Sequence, residues 1–143
     1  MSELARNIAS RLRQYIGDRR RAERFRVSLP VEISILHEHN SAFRRLHSTT
    51  GQTLDVSTTG LGLMVPVIRL GDLYLAGENR KLVLKLQTPK GLLDLHVTPV
   101  RYERLEEPEQ GYIIGVSITA MTDEDRELYK EYLSSLPRHR SPS

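Results

Sequence analysis

The sequence predicts a mainly-β fold: a six-stranded antiparallel β-barrel, with an amphipathic helix at its N-terminus and a second helix packed on the barrel at its C-terminus. Three observations predict it. Between Val27 and Ala120, apolar residues alternate with polar ones in short runs separated by turn signals. Residues 2–16 carry helical spacing instead, and so do residues 122–136, behind a capping pattern. Short strands joined by turns remove their exposed edges by closing on themselves.

In the N-terminal segment Leu4, Ile8, Leu12 and Tyr15 recur at i, i+3/i+4 and form one stripe, with Ser2 placed to cap it and Gly17 to end it. The stripe packs on the domain body or on a second copy of the chain, which leaves a homodimer open. A membrane-surface helix fits it less well, because the apolar face is narrow and has no large aromatic at its centre. From Val27 the period becomes two: Val27, Leu29, Val31, Ile33 and Ile35 alternate with Ser28, Pro30, Glu32 and Ser34. Pro30 cannot donate to a ladder and is expected at an edge or a bulge. Residues 37–50 have no period and read as a long polar loop. Strands are expected near Gln52–Ser57 and over Gly60–Val65. A connection runs to about Asn79, with Ile68, Leu70 and Leu73 available to plug the core.

Leu82, Leu84 and Leu86 alternate with Lys81 and Lys85, and Pro89-Lys90-Gly91 is a strong turn signal. A strand follows from Leu92 to Arg104, with Leu93, Leu95 and Val97 in phase and Pro99 expected to bend it. Glu106–Gly111 reads as an acidic loop, and Tyr112–Ala120 as the last strand, with Ile114, Val116 and Ile118 inward. Thr122-Asp123-Glu124-Asp125 opens a helix whose apolar face is Leu128, Tyr129, Tyr132, Leu133 and Leu136; Pro137 stops it. The organisation is thus a helix at 1–18, a domain at 19–136 (arm 19–26, barrel 27–120, helix 122–136) and a frayed tail at 137–143.

A length of 143 residues suits one domain, and 38% hydrophobic residues can furnish its core. The absence of cysteine excludes disulfides, thiol catalysis and cysteine-ligated zinc. No apolar leader follows Met1-Ser2-Glu3-Leu4, and no apolar run is long enough to span a bilayer, so a cytoplasmic protein without membrane insertion is expected. The net charge of +3 hides an asymmetry. Residues 1–26 hold eight arginines and three acidic residues, whereas the remainder holds 13 basic and 15 acidic residues. A nucleic-acid polymer is more often met by positive charge spread over a face of the fold. A small polyanion docked at a basic arm fits this distribution better.

Five arginines fall within Arg19-Arg20-Arg21-Ala22-Glu23-Arg24-Phe25-Arg26, where no apolar period accounts for them. Each guanidinium offers five donors in a fixed fork and a flat face that stacks, which suits anions and planar groups. A solvated basic linker is the plain alternative. The second feature is Asp55-Val56-Ser57-Thr58-Thr59-Gly60, a strand end, a hydroxyl-rich turn and a glycine. An ordinary hairpin turn would use the same residue types.

Arg19-Arg20-x-x-x-Arg24 followed by a strand, then Asp55-x-Ser57-x-x-Gly60, resembles the PilZ domain family. Phe25–Val31 is similar to the strand after that family's arginine motif, and Leu61–Val65 to the strand after its glycine; the resemblance covers residues 19 to 120. It implies the bacterial second messenger cyclic di-GMP as ligand, with no other cofactor. It further implies that Arg20 and Arg24 take guanine edges and phosphates, with Arg19 adding a phosphate contact or a stack. Asp55 would accept from the guanine N1/N2 edge, Ser57 would bond phosphate or base, and Gly60 would let the backbone approach closely. Arg21 is a further candidate. Some family members set a large side chain from a later strand against the guanine, and Arg101 or Tyr102 stands at that place here. The 37–50 loop looks long for the family.

An arginine–guanine bidentate contact is worth about 1–3 kcal/mol. Ordering an arm costs roughly 1–2 kcal/mol per residue. The expected mechanism is therefore an arm, mobile when empty, that wraps the barrel mouth over the ligand and signals to a downstream protein. The rival expectation is an adaptor of the same fold that works through protein contacts alone. His37 and His39 stand at alternate spacing in His37-Glu38-His39, with His47 in the same loop, but without cysteine or a clearly placed carboxylate a polar loop is the better account than a metal site. Ser57 stands in no Gly-x-Ser-x-Gly elbow, Gly60-Leu61-Gly62 leads into a strand and not a helix, and no catalytic constellation emerges, so no enzyme is expected. Tyr129 and Tyr132 read as core.

Overall fold

The computed structural model describes residues 23–36, 48–77, 79–106 and 110–137. The N-terminal helix, Arg19, Arg20, Arg21, most of the 37–50 loop and residues 138–143 of the tail lie outside the described residues.

Six strands close a barrel in the order β1-β2-β3-β8-β7-β6, every neighbouring pair antiparallel. They are β1 (Pro30–Ile35), β2 (Ser48–Val56), β3 (Gly60–Val65), β6 (Leu82–Thr88), β7 (Gly91–Arg104) and β8 (Tyr112–Ala120). The inward phase is the one the alternation requires. Ile33, Ile35, Leu63, Leu82, Leu84, Leu86, Leu93, Leu95 and Ile114 have no exposed surface. Ile118 is only partly buried against this core. The helix α1 (Asp123–Ser135) buries Tyr129, Tyr132 and Leu133 in the same cluster. Its cap is Thr122, whose Oγ1 accepts from the Asp125 amide at 3.1 Å. Among the described residues no helix is long and apolar enough to cross a membrane.

Four departures from the sequence reading have local causes. β1 begins at Pro30 and not at Val27, because Thr53 engages the preceding segment: its Oγ1 accepts from Leu29 N and donates to Val27 O. Pro30 is therefore the first residue of a strand in a closed barrel, neither an edge nor a bulge residue. β2 begins at Ser48, four residues before the expected Gln52, since Ser34, Ile33, Glu32 and Val31 pair in register with Ser48, Thr49, Thr50 and Gly51. In the 66–79 connection, β4 (Arg69–Leu70) and β5 (Leu73–Tyr74) form a small hairpin around Gly71, whose φ is 61°. That hairpin carries Leu75, with no exposed surface, into the core beside Leu70.

β7 is irregular where Pro99 was expected to bend it, with register shifts at His96/Val97 and Pro99/Arg101. Pro89 and Lys90 form the tight turn between β6 and β7; the Thr88 hydroxyl donates to Gly91 O at 2.8 Å and accepts from Lys90 N at 3.1 Å.

Candidate functional site

The site is built where the arm meets the end of β2. Phe25 and Val56 exchange two backbone hydrogen bonds of 2.9 Å each, an isolated antiparallel bridge. Val56 is fully buried and Phe25 packs against the same core. Neighbours along an extended chain point to opposite sides, so Arg24 and Asp55 share the side away from the core. There Arg24 Nη1 donates to Asp55 Oδ2 at 3.1 Å, with side-chain exposures of only 10% and 3%.

A register shift between Thr53 and Asp55 re-aims β2. It leaves Leu54 in a small second cluster with Leu105 and Ile113 and sets Asp55 opposite Gly62. Asp55 Oδ1 accepts from Gly62 N at 3.1 Å, so each carboxylate oxygen holds a different element, the arm through Oδ2 and β3 through Oδ1.

Ser57 lies just past the strand end, in the turn to β3. Its amide donates to Gly60 O at 2.9 Å. Its Oγ accepts from the Gly60 and Thr59 amides at 3.1 and 3.3 Å. The hydroxyl that the resemblance assigns to a phosphate or a base is thus engaged within its own turn.

Gly60 answers to a packing demand, not a conformational one. Its φ is outside the left-handed region, but a Cβ there would stand 2.5 Å from the Val116 carbonyl oxygen on β8. The close approach that requires glycine is that of two strands.

α1 supplies a group that the sequence reading placed only in the core. The Tyr129 hydroxyl donates to Ser57 O at 2.6 Å. Burial, with a smaller contribution from the negative charge of Asp55, raises the Tyr129 hydroxyl far above its ordinary range, so it is a neutral donor. The signal that could have found it is a tyrosine, which carries a polar handle, at the centre of an apolar helix face.

Arg24, Asp55, Ser57 and Gly60 are therefore brought together, and Gly62 and Tyr129 join them. Arg101 stands in the same cross-barrel row: Asp55 pairs with Gly62, Gly62 with Gly115, and Gly115 with Arg101. Three strand spacings separate the ends of that row, about 14 Å measured along the barrel wall, and β2 and β7 lie on opposite sides of the closed barrel. Arg101 and Tyr102 line a shallow pocket of about 360 Å³ with Ala76, Pro99 and Val100. Among the described residues no group of acidic or histidine side chains is placed to hold a metal.

The PilZ domain model matches residues 18–135. No curated protein matches the chain. Among solved structures, the chain is similar to K. pneumonia MrkH in complex with c-di-GMP, with 19% identity and a TM-score of 0.59 over 82% of this chain and 52% of that one. It is similar to the PilZ domain of Escherichia coli YcgR with c-di-GMP, at 13% identity and a TM-score of 0.55, over 82% of this chain and 91% of that one. It is also similar to Borreliella burgdorferi PlzA in complex with c-di-GMP, at 14% identity and a TM-score of 0.50, over 94% of this chain and 60% of that one. The chain thus spans about half the length of MrkH, and at these identities the likeness is one of fold.

Proposed function

The chain belongs to the PilZ domain family, and from that premise we propose that it is a receptor for cyclic di-GMP, bound where the arginine arm crosses the end of β2. The observation that carries this reading is the Arg24–Asp55 pair, which joins the arginine motif to the Asp-x-Ser-x-x-Gly motif across 31 residues of sequence. The family match and the three structural relatives described with c-di-GMP support it.

The messenger is an anion with two planar guanines. Arginine meets both features: it forks onto phosphate oxygens and onto guanine O6 and N7. Arg24 is already held close to its working place by Asp55. Asp55 is 2% exposed and its Oδ2 is taken by Arg24. To accept from a guanine N1/N2 edge it must exchange partners, with Arg24 turning to the ligand as the carboxylate does. Arg19 and Arg20 add donors from the arm, and Arg21 and Arg101 are secondary candidates. Arg101 or Tyr102 supplies the large side chain against the base. Gly60 and Ser57 act by shaping the turn. The arm closing over the ligand is the change that a partner protein reads.

A thermal melt of the full chain with excess cyclic di-GMP tests the reading. Ligand at 100 times its Kd stabilises a protein by about 2.7 kcal/mol, which raises Tm by several degrees, while GMP and GTP leave it in place. An unmoved melting curve would overturn it. One observation favours a second reading, an adaptor without ligand: Asp55 and Ser57 are buried, and their polar groups are bonded within the chain. That reading takes the lead if the melt does not move.

A further inference from the structure

We propose that Tyr129 is a positioning residue for the messenger site and ties the C-terminal helix to it, an inference that rests on the receptor reading above. The Ser57 carbonyl is the one backbone group of that residue held from outside the turn. Its amide is spent on Gly60 O and its hydroxyl on the Gly60 and Thr59 amides. The carbonyl is met by the Tyr129 hydroxyl at 2.6 Å, and both residues are 2% exposed. Without that donor the carbonyl would be buried with no partner from the helix, and the turn would regain freedom.

The helix is fixed at its N-terminal end as well. Asp125 Oδ2 accepts from the Asp94 amide on β7 at 3.2 Å, and Thr122 caps the first turn. α1 therefore spans from β7 to the Ser57–Gly60 turn, anchored at both places. Any shift of that turn when a ligand settles against Arg24 and Asp55 is carried to Tyr129 through a short, buried bond. Coupling of this kind is reciprocal: what the helix does for the site, the site does for the helix.

The test compares wild type, Tyr129→Phe and Tyr132→Phe, all as the full chain. Tyr132, 3% exposed on the same helix, serves as the control for loss of a hydroxyl that does not meet the Ser57 carbonyl. Amide hydrogen exchange is followed with and without cyclic di-GMP, and affinity is measured by calorimetry. Without ligand, Tyr129→Phe should speed exchange at the Thr59 and Gly60 amides about fivefold, the factor for one lost hydrogen bond, and Tyr132→Phe should not. Messenger binding should weaken about three- to tenfold in Tyr129→Phe alone. In wild type the ligand should slow exchange within residues 123–135, and in Tyr129→Phe that effect should vanish. A Tyr129→Phe variant with wild-type turn exchange and wild-type affinity overturns the proposal while the receptor reading stands. A wild type that binds no messenger overturns both, and faster exchange of the ligand-free variant would then show a structural tie between helix and turn without a binding role.

Discussion

The Tyr129 hydroxyl donates to the Ser57 carbonyl across 72 residues of sequence, joining the last element of the fold to the turn of the Asp-x-Ser-x-x-Gly motif. It does so from an environment that resists ionisation: burial first, then the Asp55 charge and Tyr132.

That environment predicts a pH dependence at high pH. An unfolded tyrosine releases its proton near 10.0, and folded Tyr129 holds it well beyond that. Above the unfolded value the unfolded state binds fewer protons than the native state, so stability is intact below that pH and falls as pH rises past it. The slope is at most about 1.4 kcal/mol per pH unit for this one group. Tyr132 is raised in the same direction by burial and adds to it. Urea denaturation between pH 9 and 11 should show the decline, and Tyr129→Phe should reduce it. Equal slopes in the two proteins would contradict the account.

Arg24 and Asp55 should behave as a coupled pair. Arg24→Ala leaves a carboxylate that is 3% exposed, its Oδ1 still bonded to the Gly62 amide and its Oδ2 stripped of the guanidinium. The cost is roughly 1–3 kcal/mol of stability. Asp55→Ala should cost at least as much, because it also strips the acceptor from Gly62 N. The double variant should cost less than the two single ones together, by about 0.5–3 kcal/mol. A denaturant double-mutant cycle measures this, and strict additivity would mean that the pair contributes nothing to the fold.

Gly60→Ala should destabilise the barrel before it affects any ligand. The added methyl would stand 2.5 Å from the Val116 carbonyl oxygen, a backbone atom of the β3–β8 ladder that cannot swing aside. Overpacking of this kind costs about 1–3 kcal/mol. Calorimetric Tm of the ligand-free protein should fall by several degrees. An unchanged Tm with lost binding would return Gly60 to the role of a ligand contact.

The β4–β5 hairpin should prove to be part of the core. Leu75→Ala removes a side chain with no exposed surface and should cost about 2–5 kcal/mol. A cost below 1 kcal/mol in urea denaturation would show that the hairpin merely covers the barrel.

The barrel was legible in the sequence wherever one face of a strand is apolar. Leu82, Leu84 and Leu86, then Leu93, Leu95 and Val97, alternate without interruption, and each is buried at 1% exposure or less. The Ser48–Gly51 stretch was not legible, because its strand character comes from pairing with β1 and not from its own side chains. Two-residue strands such as Arg69–Leu70 are too short for any period to show. Ile113 stands in a phase that reads as polar, and Leu54 stands in phase with Val56, yet the register shift between Thr53 and Asp55 that lets Leu54 join Ile113 and Leu105 instead is visible only in the paired structure.

In the site, residue types announced Arg24, Asp55, Ser57 and Gly60, but not what they do locally. That Asp55 bridges the arm and β3, and that Gly60 makes room for β8, depends on neighbours far away in sequence. Tyr129 was legible as a buried helix residue, whereas the target of its hydroxyl was not.

The most direct measurement is isothermal titration of the full chain with cyclic di-GMP, alongside Arg24→Ala and Asp55→Ala. The account predicts a wild-type Kd near or below about 1 μM, equivalent to about −8.2 kcal/mol, and heats lost in both variants while each remains folded. The stoichiometry would show whether one messenger or a stacked pair occupies the site. A folded wild type that releases no heat, or variants that bind as tightly as wild type, would contradict it.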